Sequence, residues 1–297
     1  MGKVIDGKSI AQKARERIKE GVEKLRDEKG IIAKLDVILV GDNPASVAYV
    51  RGKEKACVEA GIESTVHRLP ANVDDKMLLS LVASLNADPA VHGILVQLPL
   101  PDGIDEARVL QEILPSKDVD GLHPDNMGRL FKGESPLFVP CTPLGVMELI
   151  LSTGIDLTGK KAVVLGRSNL VGKPVAILLL EKHATVTWCH TRTKNLPGET
   201  LQADVLISAA GKPGLIKGNM IKPGAIVIDV GTTRTEKGIT GDVDFESAKD
   251  VAGFITPVPG GVGPMTIAML LKNVLSSAQR VGETPPATPP EIEAVIA

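Results

Sequence analysis

The sequence predicts an α/β chain of two α/β domains, the second a Rossmann-like parallel sheet. Apolar residues make up 43% of the chain but aromatics only 2%. The core must therefore be built from Val, Ile, Leu and Ala, the palette of buried parallel strands covered by helices. Short apolar runs alternate with helical segments, which is the pattern of parallel pairing in an open sheet. That alternation runs once and then begins again after residue 140.

The first helix is marked by Ile10, Ala14, Ile18, Val22 and Leu25, which recur every three or four positions between residues 9 and 28, and Gly30 closes it. A strand follows at "LDVILV" (35–40). Asn43-Pro44 opens the next helix, because Asn caps free amides and Pro at the first helical position gives up a hydrogen that had no partner; Gly61 ends it. Val47, Val50, Cys57 and Val58 form its apolar face, with Ser46, Tyr49, Lys53 and Ala56 on an adjacent stripe. The strands "STVHRL" (64–69) and "HGILVQL" (92–98) flank a helix in "DDKMLLSLVASLNAD".

A helix starting near Pro143 leads into the second sheet, whose strands are "KKAVVLG" (160–166), "ATVTWCH" (184–190), "ADVLISAA" (203–210) and "AIVIDVG" (225–231). The final helix runs from about 264 to 280, and "GETPPATPPEIEAVIA" is too rich in proline for a packed element. The expected domains are residues 1–139, completed by the C-terminal helix at about 264–285, and residues 140–263, with a proline-rich tail at 286–297.

Composition excludes several function classes. The 34 basic and 36 acidic residues nearly cancel and form no basic stripe interleaved with aromatics, so neither nucleic acid nor an anionic membrane is an expected partner. No segment approaches the roughly 18 uncharged residues of a membrane span, and the expected location is cytoplasmic. Cys57, Cys141 and Cys189 are odd in number and far apart, which fits reduced packing residues rather than disulfides or a metal site; no metal is expected.

"VVLGRSNLVGKP" (163–174) runs from a strand through Gly166 and Gly172 into an apolar helix, where a dinucleotide pyrophosphate would meet helix amides. Ser168 stands where the usual fingerprint has its second glycine. At the end of the next strand the chain reads His190, Thr191, Arg192, with no carboxylate to repel a 2′-phosphate. Arg167 or Arg192 can fork onto that phosphate, which favours NADP; both as solvated surface groups is the alternative.

Tyr49 and Lys53 lie one helical turn apart and emerge on the same side, with Gly52 between them. A glycine in a helix interior costs about 1 kcal/mol against alanine and lets another molecule approach the backbone. "VQLPLP" (96–101) puts Gln97 at the carboxyl end of an apolar strand, and "KDVDG" (117–121) puts Asp120 in a turn. Ligands of open α/β sheets collect at strand carboxyl ends. The expectation is that a buried lysine, an amide, a phenol and a carboxylate converge there for proton transfer on a polar heterocycle, although each alone reads equally as structural. In "PGGVGPMT" (259–266), Gly260, Gly261 and Gly263 allow positive φ beside a ligand, and Pro264 opens the last helix.

Together Tyr49, Lys53, "VQLPLP", "KDVDG", "GRSNLVGKP" and "TPVPGGVGPMT", in this order from residue 42 to 266, resemble the bifunctional methylenetetrahydrofolate dehydrogenase/methenyltetrahydrofolate cyclohydrolase family. The resemblance implies two α/β domains with a cleft between them, NADP on the second domain, a folate on the first, and a homodimer. It implies that hydride leaves 5,10-methylenetetrahydrofolate for the nicotinamide, and that water then opens the methenyl cation to 10-formyltetrahydrofolate, a product of one-carbon metabolism used in purine biosynthesis. By the same likeness Lys53 is the proton-transfer group, Gln97 positions it, Tyr49 stacks on or orients the folate, and Asp120 binds the pterin amino edge. Substrate contacts carried over are Tyr49, Gln97, Asp120, Pro259, Gly260 and Gly261. Cofactor contacts are Gly166, Arg167, Ser168, Thr191 and Gly231. Two other readings stay open: an NADP-dependent dehydrogenase of this architecture for another pterin or an amino or oxo acid, and a non-catalytic dinucleotide-binding protein.

Overall fold

Runs of Val, Ile and Leu organise two parallel sheets, in a computed structural model that describes residues 2–236 and 238–281. The proline-rich segment 286–297 lies outside the described residues. Two units result among the described residues: those up to 13 with 142–266, holding a six-stranded sheet, and 14–141 with 267–281, holding a three-stranded sheet.

The chain begins with β1 (Lys3–Val4), a strand that the sequence pattern did not show, and continues into α1 (Gly7–Lys29). Ala14, Ile18, Val22 and Leu25 are buried along one stripe of this helix, and Gly30 ends it at φ +66°. β2 (Lys34–Val40) is the central strand of the smaller sheet, which explains why every residue after Lys34 is buried, Asp36 included. α2 (Pro44–Ala60) follows, with the Asn43 side chain accepting from the Ala45 and Ser46 amides and Gly61 closing the helix in the left-handed region. Its apolar face differs from the expected one: Val50 and Cys57 are buried, but Val58 is 76% exposed. Val58 follows Cys57 directly, and successive helical residues point about 100° apart, so the two cannot share one buried stripe.

β3 (Glu63–Leu69) is an edge strand with mixed exposure, α3 (Asp75–Ala87) packs Leu78, Val82 and Leu85 inward, and β4 (Gly93–Val96) completes the order β3-β2-β4, all parallel. Two short helices, α4 (Glu106–Glu112) and α5 (Pro124–Phe131), bracket the turn that carries Asp120. α6 (Cys141–Leu151) starts two residues before the expected Pro143.

In the other unit β5 (Lys161–Leu165), α7 (Gly172–Glu181), β6 (Thr185–Cys189), α8 (Leu196–Thr200), β7 (Val205–Ser208) and β8 (Ile226–Asp229) carry the second alternation. A hairpin of β9 (Thr233–Thr235) and β10 (Gly238–Thr240), helix α9 (Phe245–Ala248) and strand β11 (Phe254–Ile255) follow. The sheet order is β1-β11-β8-β7-β5-β6, parallel throughout, so two strands of two residues each extend the expected four. Val163, Leu165, Leu206, Val227 and Ile255 are buried in its core. The last helix, α10 (Val262–Gln279), starts at Val262, so Pro264 is its third residue rather than its first. No described helix is long and apolar enough to cross a membrane.

Candidate active site

In the three-stranded unit, the ladder from β2 to β4 runs on one step: the Gln97 amide donates to the Ile38 carbonyl at 2.9 Å. This fixes Gln97 at the carboxyl end of β4, 9% exposed. Its Nε2 donates to the Leu98 carbonyl at 2.7 Å, which turns Oε1 the other way. Lys53 Nζ donates to that Oε1 at 3.0 Å. The strand end therefore sets the amide, and the amide sets the lysine.

Lys53 is half-buried rather than buried as expected, and Tyr49 is exposed. Ser46 and Ala56, on the same stripe, are buried, so α2 dips into the unit at both ends of the stripe and leaves the phenol and the amine accessible in the middle. A side chain at Gly52 would meet only the Ile267 Cδ1 atom, at 3.7 Å. Packing within the unit does not require that glycine.

Asp120 is half-buried in the turn before α5. That turn is held from several sides. Lys117 Nζ donates to the carbonyls of Leu85, Asn86 and Asp88 at the end of α3. The Asp118 carboxylate accepts from the Leu122 and His123 amides and from Asn126 Nδ2, and burial pushes its pKa up to about 6. Gly121 has φ +74°, and a Cβ there would lie 2.5 Å from Pro140 N. Asn273, buried on α10, donates to the carbonyls of Val119 and Val139 at 2.9 and 3.2 Å. Cys141, whose thiol burial raises well above the usual range, donates to Val119 O at 3.3 Å and feels the charges of both Asp120 and Lys53.

The strand-to-helix turn of the six-stranded unit is made of backbone. Gly166 has φ +120°, and a Cβ on it would lie 2.2 Å from Ala209 O; one on Gly172 would lie 2.2 Å from Gly166 O. Ser168 Oγ accepts from the Val171 and Gly172 amides at 3.2 and 3.4 Å, which closes the turn onto the start of α7. Arg167, Thr191 and Arg192 are exposed, and no carboxylate stands at the end of β6. The close backbone packing at Gly166 and Gly172 is what the turn of a dinucleotide-binding strand and helix requires, and the exposed Arg167, Thr191 and Arg192 fit the phosphates of a dinucleotide.

Gly231 is buried against the Asp242 carboxylate, 2.3 Å from where a Cβ would sit. Gly260 adopts φ +112°, whereas Gly261 and Gly263 do not have positive φ, contrary to expectation. Gly261 is required instead by the closeness of Pro257 O, 2.7 Å from a Cβ, and a Cβ on Gly263 would meet open space. Among the described residues no group of three or more His, Cys, Asp or Glu is placed to hold a metal.

The sequence reading passed over Asp118, Asn273, Asp229 and Asp242. Asn273 is marked by being an amide on the apolar face of "LLKNVL", Asp229 stands inside the expected strand "AIVIDVG", and Asp118 and Asp242 read as ordinary loop residues.

Residues 5–120 match the family model described as tetrahydrofolate dehydrogenase/cyclohydrolase, catalytic domain, and residues 140–282 match the NAD(P)-binding domain of the same description. The chain is 59% identical over 278 residues to the bifunctional protein FolD of Moorella thermoacetica, covering 93% of this chain and 99% of that one. It is similar to the crystal structure of the bifunctional enzyme FolD from Campylobacter jejuni, with a TM-score of 0.92 at 53% identity over 95% of this chain and 100% of that chain. The Trypanosoma brucei enzyme, solved with NADP cofactor and an inhibitor, has a TM-score of 0.91 at 43% identity over 95% and 99% of the two chains.

Proposed function

Because the chain belongs to the tetrahydrofolate dehydrogenase/cyclohydrolase family, we propose that Lys53 is the proton-transfer group of its chemistry and that the other site residues serve to place it or the bound molecules. The protein oxidises 5,10-methylenetetrahydrofolate to 5,10-methenyltetrahydrofolate with NADP and hydrolyses the product to 10-formyltetrahydrofolate. The observation that carries the role of Lys53 is its 3.0 Å hydrogen bond to a Gln97 amide whose orientation is already fixed.

NADP, when bound, supplies the hydride acceptor. The turn from Gly166 to Gly172 would hold its pyrophosphate near the start of α7, and Arg167 or Arg192 takes the 2′-phosphate, with Thr191 nearby. For hydrolysis, water adds to the methenyl carbon and gives up a proton. Collapse of the adduct forms the formyl C=O, breaks the bond from carbon to N5 and moves the hydroxyl proton to N5, so one proton is released overall. Lys53 Nζ as the amine takes the first proton and relays the second. Gln97 holds Nζ in place through Oε1. Tyr49, exposed one turn away, orients the pterin ring, and Asp120 accepts from its amino edge. The backbone of Pro259, Gly260 and Gly261 contacts the substrate, and that near Gly231 the cofactor.

We also assign the protein to the cytoplasm as a homodimer whose product enters formyl transfer, including purine biosynthesis; the family resemblance supports this, and light scattering tests the dimer. The test of the whole reading is one assay with methylenetetrahydrofolate and NADP, following first reduced nicotinamide and then decay of the methenyl absorbance. Both signals in sequence are expected. Reduction without decay leaves only a dehydrogenase, and NADP binding without either signal overturns the catalytic reading.

A further inference from the structure

Two buried acids hold the carboxyl ends of the central strands in the six-stranded unit, and neither takes part in the chemistry above. Asp229, the last residue of β8, accepts from the Gly231 and Asp242 amides through Oδ1 and from the Val243 amide through Oδ2, each at 2.9 Å. Its own amide donates to Thr256 Oγ1 at 2.8 Å, just after β11. Asp242, fully buried, turns its carboxylate toward the end of β7. Oδ2 accepts from the Ala210 amide at 2.6 Å, the Gly211 amide at 3.1 Å and Ser208 Oγ at 3.3 Å, and Oδ1 accepts from the Lys212 amide at 2.8 Å.

Three successive amides converging on one carboxylate make a nest, the backbone concavity that elsewhere captures anions. Here the protein fills the nest with its own acid, so the turn is locked rather than open. The residue before it, Ala209, is the one whose carbonyl lies 2.2 Å from a Cβ on Gly166. Ala209 N also donates to Leu165 O at 2.7 Å. On its other side the Asp242 carboxylate packs on Gly231, where Oδ1 lies 2.3 Å from a would-be Cβ. One side chain therefore touches both the turn behind Gly166 and the backbone of Gly231. Ligands of open parallel sheets bind outside these strand ends.

We propose that Asp242 is a positioning residue for NADP: it sets the 208–212 turn, and through Ala209 and Gly231 it sets the height and spacing of the backbone that receives the dinucleotide. It touches no reacting atom. The inference rests on the assignment of NADP to this unit. An amide at position 242 presents one NH2 to a set of donors, so the nest loses part of its closure while the volume stays the same.

The experiment compares the parent with Asp242→Asn in two assays, NADP-dependent oxidation and cofactor-free hydrolysis of methenyltetrahydrofolate. A rise in the NADP KM of tenfold or more, with hydrolysis within about twofold of the parent, is the expected result. A merely structural role lowers both activities together through the folded fraction, and that result, like an unchanged NADP KM, overturns the proposal. Should Asp242→Asn fail to fold, Ser208→Ala decides: it deletes the most distant donor to the same carboxylate, at 3.3 Å, a smaller rise in NADP KM with unchanged hydrolysis is expected, and no change in KM counts against the proposal. If the parent itself shows no NADP-dependent oxidation, the failure belongs to the functional reading and not to Asp242.

Discussion

The region around Lys53 and the region around Gly166 solve different problems with different materials. At Lys53 the working parts are side chains: a half-buried amine, an exposed phenol and an amide with both ends engaged. At Gly166 they are backbone, shaped by glycines that cannot accept a Cβ and by buried carboxylates that hold the loops. Proton transfer needs an atom that can gain and lose a hydrogen while keeping its place, which one firm hydrogen bond provides. Holding a dinucleotide needs fixed amides and a surface without obstruction, which mobile side chains do not provide. The comparison predicts that damage in one region leaves the chemistry of the other intact.

The largest effect is expected from Lys53→Arg. The guanidinium keeps the charge and a donor toward Gln97 but does not give up its proton. Hydrolysis should fall by about 100-fold or more while NADP affinity stays unchanged, as measured by methenyl decay and by cofactor titration. Gly166→Ala comes next: strain at φ +120° and the clash with Ala209 O should raise the NADP KM by roughly 10- to 100-fold, the equivalent of about 1–3 kcal/mol. Arg167→Ala should weaken NADP about tenfold with little change for NAD, and equal losses would move the phosphate contact to Arg192.

A smaller effect concerns pH. Burial pushes the Asp229 pKa up to about 6 from its ordinary value of 3.8, so between these values the folded protein binds a proton that the unfolded chain does not. Stability from this group is then greatest below the unfolded value and is lost as pH rises through 6. Relative to Asp229→Asn, the parent should gain stability as pH is lowered from about 7 to 4 in denaturant titrations; a constant difference would contradict the burial of this charge.

Most of the architecture was legible because fully buried parallel strands write themselves as runs such as "LDVILV" and "KAVVL". β1 and β11 were not, since two residues carry no period, and they join the sheet only through tertiary pairing with β8 and each other. The helix cap at Asn43 was legible from local chemistry, and Gly260 from its need for positive φ. The exposure of Val58 and the close packing that requires Gly261 were not, because both depend on what the fold brings near. Lys53 and Gln97 were each readable on their elements, but their contact spans 44 positions and exists only through the pairing of β2 with β4. The buried acids were the least legible, since an aspartate in a loop or at a strand end has no sequence mark that separates a solvated group from one holding three amides.

The most direct measurement is cofactor-free hydrolysis of methenyltetrahydrofolate by Lys53→Met and Gly166→Ala, assayed side by side with the parent. A loss of about 100-fold or more in the first with the second within about twofold is the predicted result. Equal losses in both variants, or full activity in Lys53→Met, would contradict the division of labour between an amine in one unit and a backbone cradle in the other.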